Sequence, residues 1–158
     1  MVEALQMVGY HVTQSDIEPD IAGGGGGVDF LTTSALPLGC TGIVTNPPFG
    51  ERGVLALRFL EHALELTKPA NGFVAMLLRV DYDSAKTRTH LFRDCPAFAK
   101  KVNLLDRIVW FADLPPGVER AAPKENHSWY VWDHRHVGAP TIAYASKASG
   151  MYRLEKTA

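Results

Sequence analysis

Apolar positions recur along the chain with two periods, and each period predicts a different element. Val2, Leu5 and Val8, spaced three apart, predict the tail of a short helix over Met1 to Val8 that Gly9 ends. Tyr10 to Ser15 predicts a strand, with Asp16 where it stops. Gly42 to Thr45 predicts a second short strand built on Ile43 and Val44. From Gly53 to Lys68 the pattern is helical: Leu57, Leu60 and Leu64 form an apolar face while Arg58, Glu61, His62 and Glu65 face water. Pro69 to Gly72 ends that helix, and Phe73 to Val80, apolar except for Arg79, predicts a strand covered on both faces.

The second half continues in the same alternation. Asp83 or Ser84 is expected to cap a helix running to about Asp94, which Cys95-Pro96 stops. Asn103 to Phe111 predicts a strand, and Ala112 to Asn126 is too polar and proline-rich for regular structure. Ser128 to Trp132 predicts a strand in which Trp129, Tyr130 and Trp132 are core residues rather than a base-stacking platform. Pro140 to Ala145 is expected to pair with it after a turn at His134 to Ala139, giving a terminal antiparallel hairpin.

Composition narrows the class. With 158 residues and 46% hydrophobic content the chain is long enough for one cored domain, read as residues 1–146 with a tail at 147–158. No apolar run reaches membrane-spanning length, and the N-terminus lacks a basic segment followed by an apolar one, so a soluble cytoplasmic protein without membrane partners is expected. Cys40 and Cys95 have no metal-ligand spacing and read as reduced thiols; His134 and His136 lack a third ligand, so no metal is expected. The net charge of −1 offers no global footprint for nucleic acid, although Lys86, Arg88, Arg93, Lys100, Lys101 and Arg107 gather in one stretch. The five glycines Gly23 to Gly27 lack the Lys-Ser/Thr and following helix of a phosphate cradle and read as a mobile linker.

The chemistry is concentrated in Thr45-Asn46-Pro47-Pro48-Phe49-Gly50, between a predicted strand and a predicted helix, where open α/β sheets place their sites. An exocyclic amine on a base is a poor nucleophile because its lone pair is delocalised into the ring. If the Asn46 side-chain oxygen and the Pro47 carbonyl each accept one N–H, the nitrogen moves toward a tetrahedral shape and its lone pair becomes available. The prolines fix φ and remove competing donors, and Phe49 can stack on the ring. The plainer alternative is a stiff turn after a strand.

This motif, in its order of strand, motif, glycine and helix, resembles the class I S-adenosylmethionine-dependent amino-methyltransferases, whose members carry Asp/Asn/Ser-Pro-Pro-aromatic. The resemblance covers about Met1 to Ala145. It implies a Rossmann-like methyltransferase fold of class α/β, a three-layer sandwich with a mostly parallel sheet. It also implies DNA methylation at adenine N6 or cytosine N4 as the leading activity, with relatives acting on RNA or a protein glutamine. Asn46, Pro47, Pro48 and Phe49 match the catalytic motif. S-adenosylmethionine is the implied cofactor: Asp16 matches the acidic residue that binds its ribose hydroxyls, and Asp29 with Phe30 matches the pair that meets its adenine. Their plainer readings stay open, Asp16 as a loop-initiating residue and Asp29 as a cap on a helical turn at Phe30 to Ala35.

The family's first strand and glycine-rich turn, which hold the methionine end of the cofactor, have no counterpart before Met1 to Val8. The expectation is therefore an N-terminally incomplete domain with a gap in its sheet. Rearrangement, a homo-oligomer or a partner chain would fill that gap. A second expectation follows, a non-catalytic methyltransferase-like module used for binding or assembly. Any nucleic-acid contacts would come from loops such as Ala112 to Asn126, through Arg120 and Lys124.

Overall fold

A computed structural model describes residues 1–20, 24–109 and 123–147. In chain order it contains α1 (Val2–Met7), β1 (Gly42–Thr45), α2 (Val54–Thr67), β2 (Phe73–Arg79), β3 (Phe98–Leu104), β4 (His127–Asp133) and β5 (Thr141–Ala145), with short 3-10 turns between them. The class is α/β: one five-stranded mixed sheet in the order β1-β2-β4-β3-β5, with helix packed on it.

The sheet is less parallel than expected. β1 pairs with β2 and β3 pairs with β5 in parallel, whereas β4 runs antiparallel to both β2 and β3. Because β2 and β3 occupy both edges of β4, no edge is left for Thr141–Ala145. The expected terminal hairpin is thus replaced by a parallel edge strand beside β3, from Lys100↔Thr141 to Leu104↔Ala145. Among the described residues β1 is an edge strand paired only with β2, so its other side has no strand partner there.

Alternation sorts the side chains onto two faces. Val74, Met76 and Leu78 of β2 stand beside Trp132, Tyr130 and Ser128 of β4, and this face meets Ala56, Leu60 and Ala63 of α2. Two alanines in that helical stripe let its backbone approach the sheet closely. Phe92 fills the adjoining space, with Phe98, Tyr130 and Trp132 all at ring-centroid separations of 5.1 to 5.5 Å. Trp132 Nε1 donates to the Leu91 carbonyl at 2.6 Å, so the buried indole leaves no polar atom unmet. The opposite face carries Val44, Ala75, Leu77, Val131 and Val102. α1 has no buried residue, so among the described residues two layers stand where three were expected.

Three predicted elements differ. Tyr10 to Ser15 pairs with no strand, and Tyr10 is exposed. Asp83 to Asp94 is not an α-helix but 3-10 turns at Tyr82–Ser84 and Lys86–Leu91, separated by an extended Ala85. The Asp83 carboxylate caps nothing, because it is taken by Lys101 at 2.7 Å. β3 starts five residues earlier than its predicted Asn103 and ends at Leu104, since Phe98 and Val102 are the buried positions that bring it onto β4. A bulge between Phe98 and Lys100 then sets Lys101 opposite Tyr130. Phe111 and most of Ala112 to Asn126, including Arg120, lie outside the described residues, as does the tail beyond Lys147.

Candidate functional site

β1 and β2 run parallel, so their carboxyl ends share one sheet edge. Asn46 to Phe49 leaves β1 there and leads into α2. Asn46 is exposed, Pro47 buried, Pro48 exposed and Phe49 half-buried against the core. The burial of Pro47 anchors the loop while its neighbour projects. The Asn46 side chain makes no hydrogen bond to another described residue, so its amide is free to meet a ligand. Gly50 turns the chain with φ 63°, a value that a side chain would strain, and a Cβ there would lie 2.6 Å from Leu55 Cβ. The Phe49 carbonyl accepts the Ala56 N–H at 3.4 Å and the Gly50 carbonyl accepts the Gly53 N–H at 3.4 Å. These bonds tie the motif loop to the first turn of α2.

The loop after β2 closes on the same turn. The buried Tyr82 hydroxyl donates to the Gly53 carbonyl at 3.1 Å, and the Arg88 guanidinium lies over the Tyr82 ring at 3.8 Å. Burial raises the Tyr82 pKa, and the neighbouring Arg88 opposes that shift. Behind it, Lys101 Nζ donates to Asp83 Oδ2 at 2.7 Å and to the Val80 carbonyl at 2.8 Å. The Tyr130 hydroxyl lies 2.8 Å from the same carbonyl, its pKa pushed well above the ordinary value by burial first and then by the Asp83 carboxylate. Sequence reasoning missed Tyr82, and it placed Arg88 only within a basic stretch. Their juxtaposition with Gly53 comes from strand pairing and leaves no local spacing signal.

The three cofactor candidates sit elsewhere in the chain's path, yet two are drawn together. Asp16 accepts the Val28 N–H through its carbonyl at 2.8 Å and gives its own N–H to the Gly25 carbonyl at 3.1 Å, which brings it beside the segment holding Asp29. Gly24, Gly25 and Gly27 are hydrogen-bonded to Gln14, Asp16 and Glu18; Gly23 lies outside the described residues. A Cβ at Gly25, where φ is 83°, would overlap the Gln14 carbonyl, which explains a glycine there. Both carboxylates perform local work: Asp16 Oδ1 accepts from Glu18 N at 3.1 Å, and Asp29 Oδ1 accepts from Leu31 N at 3.0 Å as the cap of the turn Phe30–Thr32. Each keeps its second oxygen for a hydroxyl or amino donor, which is the chemistry a nucleoside would require. Phe30 packs on α2, 5.0 Å from Phe59 and 5.1 Å from His62 between ring centroids. His62, expected to face water, is half-buried there and lies 3.4 Å from the Thr33 hydroxyl. No hydrogen bond or ring contact joins Asp16, Asp29 or Phe30 to Asn46–Phe49 among the described residues.

A separate open hollow of about 400 Å³ lies at the other end of α2, lined by Thr33, Cys40, His62, Glu65, Leu66 and Pro69. It is at the amino ends of β1 and β2, the opposite strand ends from the motif. His134 also has a structural task at that end, with Nε2 3.1 Å from the Leu64 carbonyl and 3.2 Å from the Thr67 hydroxyl, near the end of α2. Among the described residues no three His, Cys, Asp or Glu side chains cluster as metal ligands, both cysteines are free, and no helix is long and apolar enough to cross a membrane. No protein-family model matches the chain, and no curated protein matches it.

Proposed function

We propose that this chain is an S-adenosylmethionine-dependent methyltransferase acting on an exocyclic amino nitrogen, adenine N6 or cytosine N4 of nucleic acid. The observation that carries the reading is Asn46: an exposed amide without a hydrogen-bond partner among the described residues, on a loop anchored by buried Pro47, at the carboxyl end of a parallel strand. Asn46 and the Pro47 carbonyl would accept the two amine hydrogens and orient the lone pair. Phe49 would contact the ring through its exposed part. No strong base is required, because the proton leaves after the nitrogen has become cationic, so positioning supplies most of the rate. The cofactor contributes the electrophilic methyl group. Asp16 and Asp29 would hold its ribose and adenine through their free oxygens, and Phe30 would border the adenine.

The test is methyl transfer from radiolabelled S-adenosylmethionine to DNA and RNA oligonucleotides by the wild-type chain and by Asn46→Ala. Transfer by the first and not the second is expected; equal transfer by both would sink the assigned roles. A second reading, a non-catalytic binding module, is favoured by the local engagement of the Asp16 and Asp29 carboxylates. Isothermal titration with S-adenosylmethionine separates the two. Saturable binding supports the enzyme, and no heat at millimolar ligand supports the module.

A further inference from the structure

Three other residues of the basic stretch between Lys86 and Arg107 have partners within the chain. Arg93 pairs with Asp94, Lys101 with Asp83, and Arg107 donates to Asn126 Oδ1 and the Pro123 carbonyl. Arg88 differs. Like Lys86 and Lys100 it has no carboxylate partner among the described residues, but its Nε is buried with no hydrogen-bond partner among them. Glu61, whose charge is felt at Tyr82, is engaged by His90 at 3.2 Å.

The stack on Tyr82 covers the flat face of the guanidinium, and the Tyr82 hydroxyl feels an Arg88 N–H as well. The Arg88 Nε–H remains unmet among the described residues, and a partly buried cation with an unmet donor is costly until an acceptor arrives. Gly53 lies beside the guanidinium edge: a Cβ there would stand 3.5 Å from Arg88 Nη1, in ordinary contact. A planar fork of donors matches phosphate oxygens better than a single carbonyl.

We propose that Arg88 is the seat of a substrate phosphate: its guanidinium, held over Tyr82 beside Gly53, binds a backbone phosphate of a single-stranded nucleic acid whose base is presented to Asn46. This role rests on the reading of the Asn46 loop as the amine-gripping site. The bonds from Ala56 to Phe49 and from Gly53 to Gly50 put phosphate and base on one loop–helix junction. A single strand is the fitting form, since its bases need no extrusion from a stack and the net charge of −1 supplies no broad attraction to a duplex.

The experiment is binding of a fluorescent single-stranded DNA 12-mer across a salt series by wild type, Arg88→Gln and a control, Arg135→Gln, whose partner is Asp133. Arg88→Gln is expected to weaken binding about tenfold on every sequence and to flatten the salt slope by about 0.7, the loss of one phosphate contact. Arg135→Gln should change neither. In the wild type, inorganic phosphate and the 12-mer should each shift the Arg88 Nε–H nuclear magnetic resonance signal, a readout independent of whether the variant folds. Unchanged affinity and slope in a folded Arg88→Gln, or a signal moved by neither probe, overturns the proposal. A signal moved by phosphate alone overturns the nucleic-acid occupant. A chain that binds the 12-mer through Arg88 but transfers no methyl group overturns the proposed function instead and leaves this seat standing.

Discussion

The Tyr82 hydroxyl donates to the Gly53 carbonyl at 3.1 Å, a bond between residues 29 apart that joins the loop after β2 to the turn after the motif. The ring beneath it is 3% exposed and carries the Arg88 stack. Tyr82→Phe removes the bond but keeps the ring. It should cost about 1 kcal/mol in urea unfolding and leave Arg88 in place. Tyr82→Ala opens a core cavity as well and should cost about 3–5 kcal/mol. Equal costs for the two variants would show that the ring contributes nothing.

Asn46 and Phe49 should separate chemistry from stability. Exposed and without a hydrogen-bond partner among the described residues, Asn46 should become Ala within about 0.5 kcal/mol of wild-type stability, while the proposed methyl transfer should be lost. Phe49 packs on the core, so Phe49→Ala should lose about 2–3 kcal/mol. Paired urea curves and transfer assays check both, and an Asn46→Ala protein that is strongly destabilised would mean that the amide supports the loop rather than the substrate.

The Lys101–Asp83 pair is mostly shielded from water, with side-chain exposures of 15% and 24%. Replacing Lys101 with Met strands a carboxylate beside the Tyr130 hydroxyl and should cost about 2–4 kcal/mol. The double variant Lys101→Met, Asp83→Asn should recover part of that loss, and a double-mutant cycle by chemical denaturation measures the coupling. Strict additivity would remove the pair from the account of how the β2 loop is held.

His127, 3% exposed, has its pKa lowered from 6.5, first by burial, with nearby Arg79 acting the same way and Glu125 opposing. Above pH 6.5 both folded and unfolded states hold it neutral, so it adds no pH dependence there. Below that value the unfolded chain takes up the proton first, and stability falls as pH drops toward the lower folded pKa. The slope contributed by this one group is at most about 1.4 kcal/mol per pH unit. His127→Gln should remove that component from unfolding curves measured between neutral pH and the acid limb; an identical slope would assign the loss to other groups.

Several elements were legible because their causes are local. The strand Gly42–Thr45, the helix after Gly53 and the strand from Phe73 follow from apolar period and from Pro69-Ala70-Asn71-Gly72. Tyr130 and Trp132 are fully buried core residues, as expected, whereas Trp129, expected with them, is half-buried on the opposite face of the sheet. In place of the helix expected after Asp83 or Ser84, an extended Ala85 divides the segment into two 3-10 turns, and the Asp83 carboxylate takes Lys101, distant in sequence.

By itself, the amino-acid sequence determined the α/β alternation, the loop of Asn46, Pro47, Pro48 and Phe49 between strand and helix, and the aromatic core positions. Those features depend on side-chain period, proline geometry and turn chemistry, all of which act over a few residues. Tertiary structure decided that β4 takes the place between β2 and β3, that Thr141–Ala145 runs parallel beside β3, and that Tyr82 and Arg88 meet Gly53 behind the motif. A strand's partner is set by which edge still has unpaired N–H and C=O groups when the sheet closes, and a side chain's neighbour by which loops that sheet brings to one edge. Neither condition is written in the spacing of residues along the chain.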